Sequence, residues 1–433
     1  MEGEYPNLVE HGPFTYQETL EKQVIDVDEE NDEIIYTTRS AFKFLKRESL
    51  VVTTRDKISI INPAYIGTIE TVNTFFLKKY GDNIPKLFPN PKSIFLTAKA
   101  PDLLFNGVKI TCNLKKYPEL SLICETLKAK APPILRATDK EDVYLFSFFQ
   151  KLNNTLRGPF TVNRGIKNIT KLGDITSFKE DRIQKMWNTD ECNKVRGTDT
   201  ITWPPLTKEE STVTTFSPDL CRAIDIDYVN EVSVSGMIGF RFVMKERVWS
   251  KNESECFCPM VNGKMECLPT GLLDLNKCQE GPVYLSEPHF LHGDPSLLKF
   301  ARGLQPVESL HETYIIINPI SGSPLSGQKR TQFNLKLSNQ PVDLLKNVSD
   351  GFFPLFWCES VSSLLQGNLI YSIFRVIVGV YIILAVLFFY CTPQHKVELE
   401  NQDADSILIT SSFSNANQHV VRRPPIKPIR TWE

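Results

Sequence analysis

Between Leu369 and Cys391 the sequence reads LIYSIFRVIVGVYIILAVLFFYC, apolar over more than twenty positions and charged only at Arg375. No other feature constrains the fold as much, because a backbone in hydrocarbon must satisfy all of its own hydrogen bonds. About 20 such residues in an α-helix cross a bilayer core. Arg375 lies near one end, where a long side chain reaches the interface. A transmembrane helix over 369–391 is therefore expected, with a buried core helix as the alternative. Gly351 to Asn368 holds no Lys or Arg, whereas the tail 392–433 holds Lys396, Arg422, Arg423, Lys427 and Arg430. The positive-inside rule then places residues 392–433 in the cytoplasm and residues 1–368 outside the cell or in a lumen.

Four N-x-[ST] sequons, at Asn153, Asn168, Asn252 and Asn347, all precede the expected span. They are candidate glycosylation sites and agree with that topology. The same topology gives meaning to the cysteines. Cys192, Cys221, Cys256, Cys258, Cys267 and Cys278 fall within 87 residues. In an oxidising compartment such a cluster is a disulfide framework, and zinc binding is the alternative. Six cysteines allow fifteen complete pairings, and spacing does not choose among them. Cys256 and Cys258, separated only by Phe257, are each expected to pair elsewhere.

The 433 residues carry 49 basic against 51 acidic side chains, a balance that argues against a nucleic-acid binder. The region before the span reads as mainly β with inserted α. Asn62-Pro63 is an N-cap followed by proline at the first helical position, and apolar residues from Ile66 to Tyr80 recur at helical spacing before Gly81. An amphipathic helix over Ala64–Tyr80 is expected. Strands are expected over Glu33–Leu45, Val143–Leu152, Gly236–Met244, Thr313–Ile320 and Thr331–Ser338. In the last, Phe333, Leu335 and Leu337 face one way and Gln332, Asn334 and Lys336 the other. Asp294-Pro295 signals a short helix closed by Gly303. The tail is polar and reads as disordered.

Catalytic signatures are missing from the sequence: no H-E-x-x-H, G-x-S-x-G, P-loop or G-x-G-x-x-G occurs. His289 and His292, with Asp294 nearby, are placed to face one another on a turn, a pattern that is more often structural than metal-binding or catalytic. No cofactor or metal is expected. Cys391, at the cytoplasmic end of the span, is a palmitoylation candidate. DADSIL, Asp403 to Leu408, has the pattern of an acidic dileucine-type sorting signal.

The segments GTDTITWPP, FSPDLCR, ECFCP, GLLDLNKC, PVYLSEPHFLHGDP and INPISGSPLSGQKRTQFNLKL follow one another in an order that resembles the class B scavenger receptors. GPFTY at Gly12 and FPLFW at Phe353 match that family's ends. Within the family, DLLFNGVKITC, VNRGIKN and VIDVDEENDEIIY are most similar to the insect sensory neuron members. The resemblance implies a large antiparallel, β-barrel-like ectodomain with a helical apex, an apolar tunnel and an anchor at each end. Since the family carries a first span before GPFTY and this chain starts eleven residues before Gly12, the N-terminal anchor is expected to be missing. By motif position the resemblance implies the bridges Cys192–Cys256, Cys221–Cys278 and Cys258–Cys267, with Cys112 and Cys124 as a further candidate pair. Cys358 stands where the family has an aliphatic residue.

The function that the resemblance implies is capture of a long-chain lipid at the apex and its transfer to the membrane. For a sensory member the expected cargo is a fatty-acid-derived pheromone, and the expected partner an odorant receptor complex in the plasma membrane of the olfactory cilium. Phe75, Phe76, Lys78, Lys79, Lys86 and Lys92 are the candidate apex contacts. The alternatives are uptake of lipoprotein, carotenoid or cell debris, and a lysosomal member for which DADSIL matters. An esterase acting on bound lipid is the alternative of another class.

Overall fold

Strand formation begins where β-branched and aromatic residues concentrate. In the computed structural model, which describes residues 7–45, 49, 57–72, 74–129, 134–209, 211–244, 248, 256–261, 263–363 and 407–410, β1 (Tyr16–Asp28) and β2 (Glu33–Phe44) form one long hairpin. The acidic stretch between them is its turn: Asp28 accepts from both the backbone and the side chain of Asn31, at 2.9 and 2.8 Å. β3 (Leu156–Asn163) pairs with β2, and β4 (Ile175–Phe178) with β3. Behind them lie Tyr36, Phe160, Val162, Ile175 and Phe178.

The second sheet has eight strands: β5 (Thr212–Ser217), β6 (Arg222–Val234), β7 (Met237–Val243), β8 (Leu273–Asp274), β9 (Tyr284–Ser286), β10 (Tyr314–Ile317), β11 (Pro324–Leu337) and β12 (Gly351–Ser363). β11 is its spine. One edge of β11 pairs with β12 along the full length, from Leu337↔Gly351 to Ser326↔Ser363. The other edge is shared by β10 and β9. All pairings in both sheets are antiparallel.

The Leu337 end of β11 enters a helical region made of α1 (Pro63–Thr71), α2 (Thr74–Tyr80) and α3 (Ser121–Ala129). Leu335 and Leu337 pack there with Tyr65, Ile66, Ile84 and Leu120. The Asn62 side chain caps α1 by accepting from the Tyr65 backbone at 3.1 Å, and Pro63 is the first helical residue.

Several expectations are corrected. The single helix over Ala64–Tyr80 is two helices, because Val72 is extended at φ −94 and ψ 149. Residues 71–74 read Thr-Val-Asn-Thr, all poor helix formers, so local propensity gives way at that point. The strand expected over Val143–Leu152 ends at Phe146, and Gln150–Leu152 is a 3₁₀ turn. No closed barrel is found among the described residues. The large sheet ends at β5 and at the two-residue β8, which share no ladder, and a strand that short supports little further pairing.

The apolar run Leu369–Cys391, with Cys391 itself, lies outside the described residues, as does Asn252. No helix among the described residues is long and apolar enough to cross a membrane. A short strand, Ile407–Thr410, lies along β1 opposite Gln17–Leu20. That pairing and a membrane crossing between the two segments exclude one another in one molecule.

Candidate functional site

A cavity of about 2910 Å³ runs through the molecule, several-fold larger than the roughly 300–1,000 Å³ of a small-ligand pocket. Pro63 and Gly67 of α1 and Ile123 of α3 line it at the helical end; Phe333, Phe356 and Val361 line it along the spine strands. Each residue of β12 from Phe353 to Val361 contributes, an advance of about 26 Å at ~3.3 Å per residue.

One wall is aromatic. Phe333 and Phe356 are register partners on β11 and β12, with stacked rings 4.8 Å apart. Phe149 meets Phe333 edge-on at 5.6 Å, Phe148 meets Phe356 at 4.6 Å, and Phe105 lies 5.9 Å from Phe149. All five rings line the cavity and are only half-buried, because one side of each faces the void rather than other side chains.

Gln332, Asn334 and Glu359 touch the cavity and join a polar, densely paired cluster behind it. Gln332 and Asn334, nearly fully buried, share Ser286 Oγ: Gln332 Nε2 donates to it at 3.1 Å and Asn334 Nδ2 at 3.0 Å. Gln332 Nε2 also donates to Asn334 Oδ1 at 2.9 Å. Gln332 Oε1 accepts the His289 backbone N–H at 2.8 Å. Arg330, also buried, donates to Glu359 at 2.7 Å and to the Glu312 carbonyl at 2.6 Å, while Glu312 pairs with Arg241.

Next to this lattice His289 and His311 stack at 4.2 Å. Each accepts a backbone N–H at Nδ1, from Gln305 and Val307 respectively, both at 3.0 Å. The proton of neutral His289 therefore sits on Nε2, which donates to Glu10 at 2.9 Å. Trp357 Nε1 donates to the same carboxylate oxygen at 2.5 Å. Burial pushes the Glu10 carboxyl up, but the hydrogen bonds from His289 and Trp357 outweigh it and hold the group below its ordinary range. His292 has a different partner, Glu287, at 2.7 Å. Burial raises the Glu287 carboxyl despite that contact.

The residues singled out from the sequence fall elsewhere. Phe75 is exposed, Phe76 is half-buried against the helical core with its ring 5.0 Å from Tyr80, and Lys78 and Lys92 are exposed. Lys79 lies 5.1 Å over the Tyr80 ring, and Lys86 pairs with Glu119 and bonds Asn83 at 2.8 Å. None of these six lines the cavity. Asn168 and Asn347 are exposed; Asn153 is half-buried and accepts the Phe42 N–H through Oδ1, leaving its amide nitrogen out of that bond. Disulfides join Cys112–Cys124, Cys192–Cys256, Cys221–Cys278 and Cys258–Cys267. Among the described residues only Cys358 is outside a disulfide; it faces the cavity, and burial pushes its thiol up to about 12, which keeps it neutral. No group of three His, Cys, Asp or Glu side chains among the described residues is placed to hold a metal.

Glu10, Trp357 and the Ser286–Gln332–Asn334 cluster were not singled out from the sequence. For Ser286, Gln332 and Asn334 the signal was polar residues inside strands, which reads as a solvent face until a second layer covers it.

Comparison with known proteins bears on what such a cavity is for. The model of the CD36 family, the class B scavenger receptors, matches residues 1–392. Sensory neuron membrane protein 1 of Mamestra brassicae is 35% identical over 366 residues, covering 83% of this chain and 69% of that protein. Sensory neuron membrane protein 2 of Heliothis virescens is 31% identical over 371 residues, and that of Manduca sexta 32% over 372, each covering 83% of this chain and 71% of the relative. A family match over nearly the whole stretch that carries the cavity, together with full-length relatives at this identity, makes the chain a member of the CD36 family of class B scavenger receptors.

Proposed function

We propose that the protein is a membrane-anchored lipid receptor that takes a long acyl chain into the cavity and passes it toward the bilayer. The observation that carries this reading is the continuous void from the helical region to the far end of β12, walled in good part by apolar and aromatic side chains. Each CH₂ that leaves water contributes ~0.8 kcal/mol, so a dozen buried methylenes give roughly 10 kcal/mol. Association costs about 4–15 kcal/mol, so the net affinity is moderate and release into a membrane is easy. Little polar specificity is needed. The anchor is the span over 369–391, with residues 1–368 outside and the tail in the cytoplasm of the plasma membrane; in that anchored state Ile407–Thr410 does not lie along β1. Phe75 and the lysines of the helical region are the surface that first meets cargo.

The test is titration of the full chain, reconstituted in lipid nanodiscs, with a fluorescent long-chain fatty acid. Saturable binding that weakens on Phe356→Trp supports the cavity as the site; binding insensitive to that change rejects it. We further propose that the cargo is a fatty-acid-derived pheromone delivered to an odorant receptor complex, as the kinship with sensory neuron membrane proteins suggests. Antibody staining of the tail confined to olfactory cilia is the expected result. Staining of gut or blood cells with bare cilia would instead make this a general lipid-uptake receptor.

A further inference from the structure

Three bulky apolar side chains project into solvent at one end of the large sheet: Leu206 is 71% exposed, Ile238 54% and Ile320 73%. Leu206 and Ile320 lie in turns and Ile238 is the second residue of β7, next to the β6–β7 turn, yet the three segments form one platform. Leu206 N donates to the Ile320 carbonyl at 3.4 Å and Thr207 N to the Pro319 carbonyl at 2.9 Å. Asn318 Nδ2 donates to the Ile238 carbonyl at 3.1 Å. The segments read PPLT, SGMI and NPISGS and contain no charged residue. Exposed Lys208 stands at the rim.

The position of this platform is set by the strands. Ile317 pairs with Pro324 and with Phe240, so the β10–β11 turn and the β6–β7 turn lie at the same end of the sheet. Ser363, the last residue of β12, pairs with Ser326 at that end. Six residues on, at Leu369, the apolar run begins. Six residues reach at most about 20 Å. The platform therefore sits beside the point where the chain leaves toward the bilayer. The helical region lies at the other end of β11, whose 14 residues span about 45 Å.

We propose that Leu206, Ile238 and Ile320 form a membrane-docking platform whose side chains enter the headgroup–acyl boundary beside the anchor. The inference rests on the reading of 369–391 as a membrane span. Clustered exposed apolar residues mark an interaction surface. Uncharged Ser, Asn, Gly and Pro turns suit the interfacial layer. Three apolar tips beside the span limit the tilt of the ectodomain and hold the β12 end of the cavity at the lipid surface.

The test places an environment-sensitive fluorophore on the full chain reconstituted in phosphatidylcholine vesicles that contain a doxyl-quencher lipid. In a Cys358→Ser, Cys391→Ser background, single probes are attached through Leu206→Cys, Ile238→Cys or Ile320→Cys. Phe75→Cys, at a position 76% exposed in the helical region, is the control. Each variant is used only if its melting matches that of the background chain. Blue-shifted emission and several-fold stronger quenching at 206, 238 and 320 than at 75 is the expected result. Equal quenching at all four positions, with the chain resisting carbonate extraction, overturns the platform and leaves the span standing. A blue shift without quenching assigns the patch to a protein contact and overturns it too. A chain released by carbonate overturns both the span and the platform.

Discussion

The aromatic wall of the cavity and the polar cluster behind it are built on opposite logic. The Phe105–Phe148–Phe149–Phe333–Phe356 wall is held by ring contacts between 4.6 and 5.9 Å and leaves one side of each ring open. The Ser286–Gln332–Asn334 and Arg241–Glu312–Arg330–Glu359 lattice is closed, with several of its side chains answering more than one partner. Dispersion contacts are individually weak and tolerate a change of shape. A buried polar group that loses its partner keeps its full desolvation cost. The difference teaches where this fold has room to accept a ligand and where it has none.

The sharpest way to break that contrast is Arg330→Met. It strands Glu359 and the Glu312 carbonyl, and about 3–5 kcal/mol of stability is expected to disappear in denaturant unfolding of the detergent-solubilised chain. Phe356→Leu should cost less than about 1.5 kcal/mol in the same assay. Equal losses would mean that the aromatic wall is as load-sensitive as the lattice. Asn334→Leu comes next, at about 1–3 kcal/mol, since Ser286 and Gln332 lose a partner without solvent to replace it.

Ligand affinity should sort the aromatic wall and the polar cluster the other way. Phe356→Trp fills part of the void and is expected to weaken fatty-acid binding by about tenfold, or 1.4 kcal/mol, with melting little changed. Weakened binding with an equal fall in melting temperature would point to unfolding instead of occlusion.

The smallest effect concerns Glu70 on α1, where lattice logic fails. Tyr284 donates to Glu70 Oε1 at 3.1 Å, but Oε2 is buried with no partner. Burial pushes this carboxyl up to about 7 from an ordinary 4.5, against the opposing hydrogen bond from Tyr284. A raised carboxyl pKa means that the folded state prefers the proton. The contribution of Glu70 to stability is therefore greatest at low pH, falls as pH rises from 4.5 toward 7, and stays low above. Glu70→Gln should melt about 2 °C above the parent at pH 8, and the gap should close near the ordinary carboxylate range. A gap that persists at low pH would locate the effect in packing.

Much of the architecture was legible because it is written locally. The Asn62-Pro63 cap and the clustered cysteines are each short-range signals with one dominant physical reading. The break at Val72 was hidden because apolar spacing continues through it while backbone propensity does not. The lattice was hidden for a different reason. Gln332 and Asn334 alternate with Phe333 and Leu335 as a half-exposed strand would, and only chain packed onto that face from elsewhere, such as the Pro288–Phe290 turn at Gln332, makes them buried.

The sequence by itself determined the strand-rich class, the helical insertion, the cysteine inventory and the apolar run, since propensity, periodicity and composition are properties of neighbouring residues. The tertiary structure alone decided which walls the cavity has, that Glu10 meets His289 across 279 positions, and that three distant segments share one apolar edge. Those juxtapositions depend on strand register and sheet order, and pairing energies that are nearly the same for many registers leave no mark in any short stretch of chain.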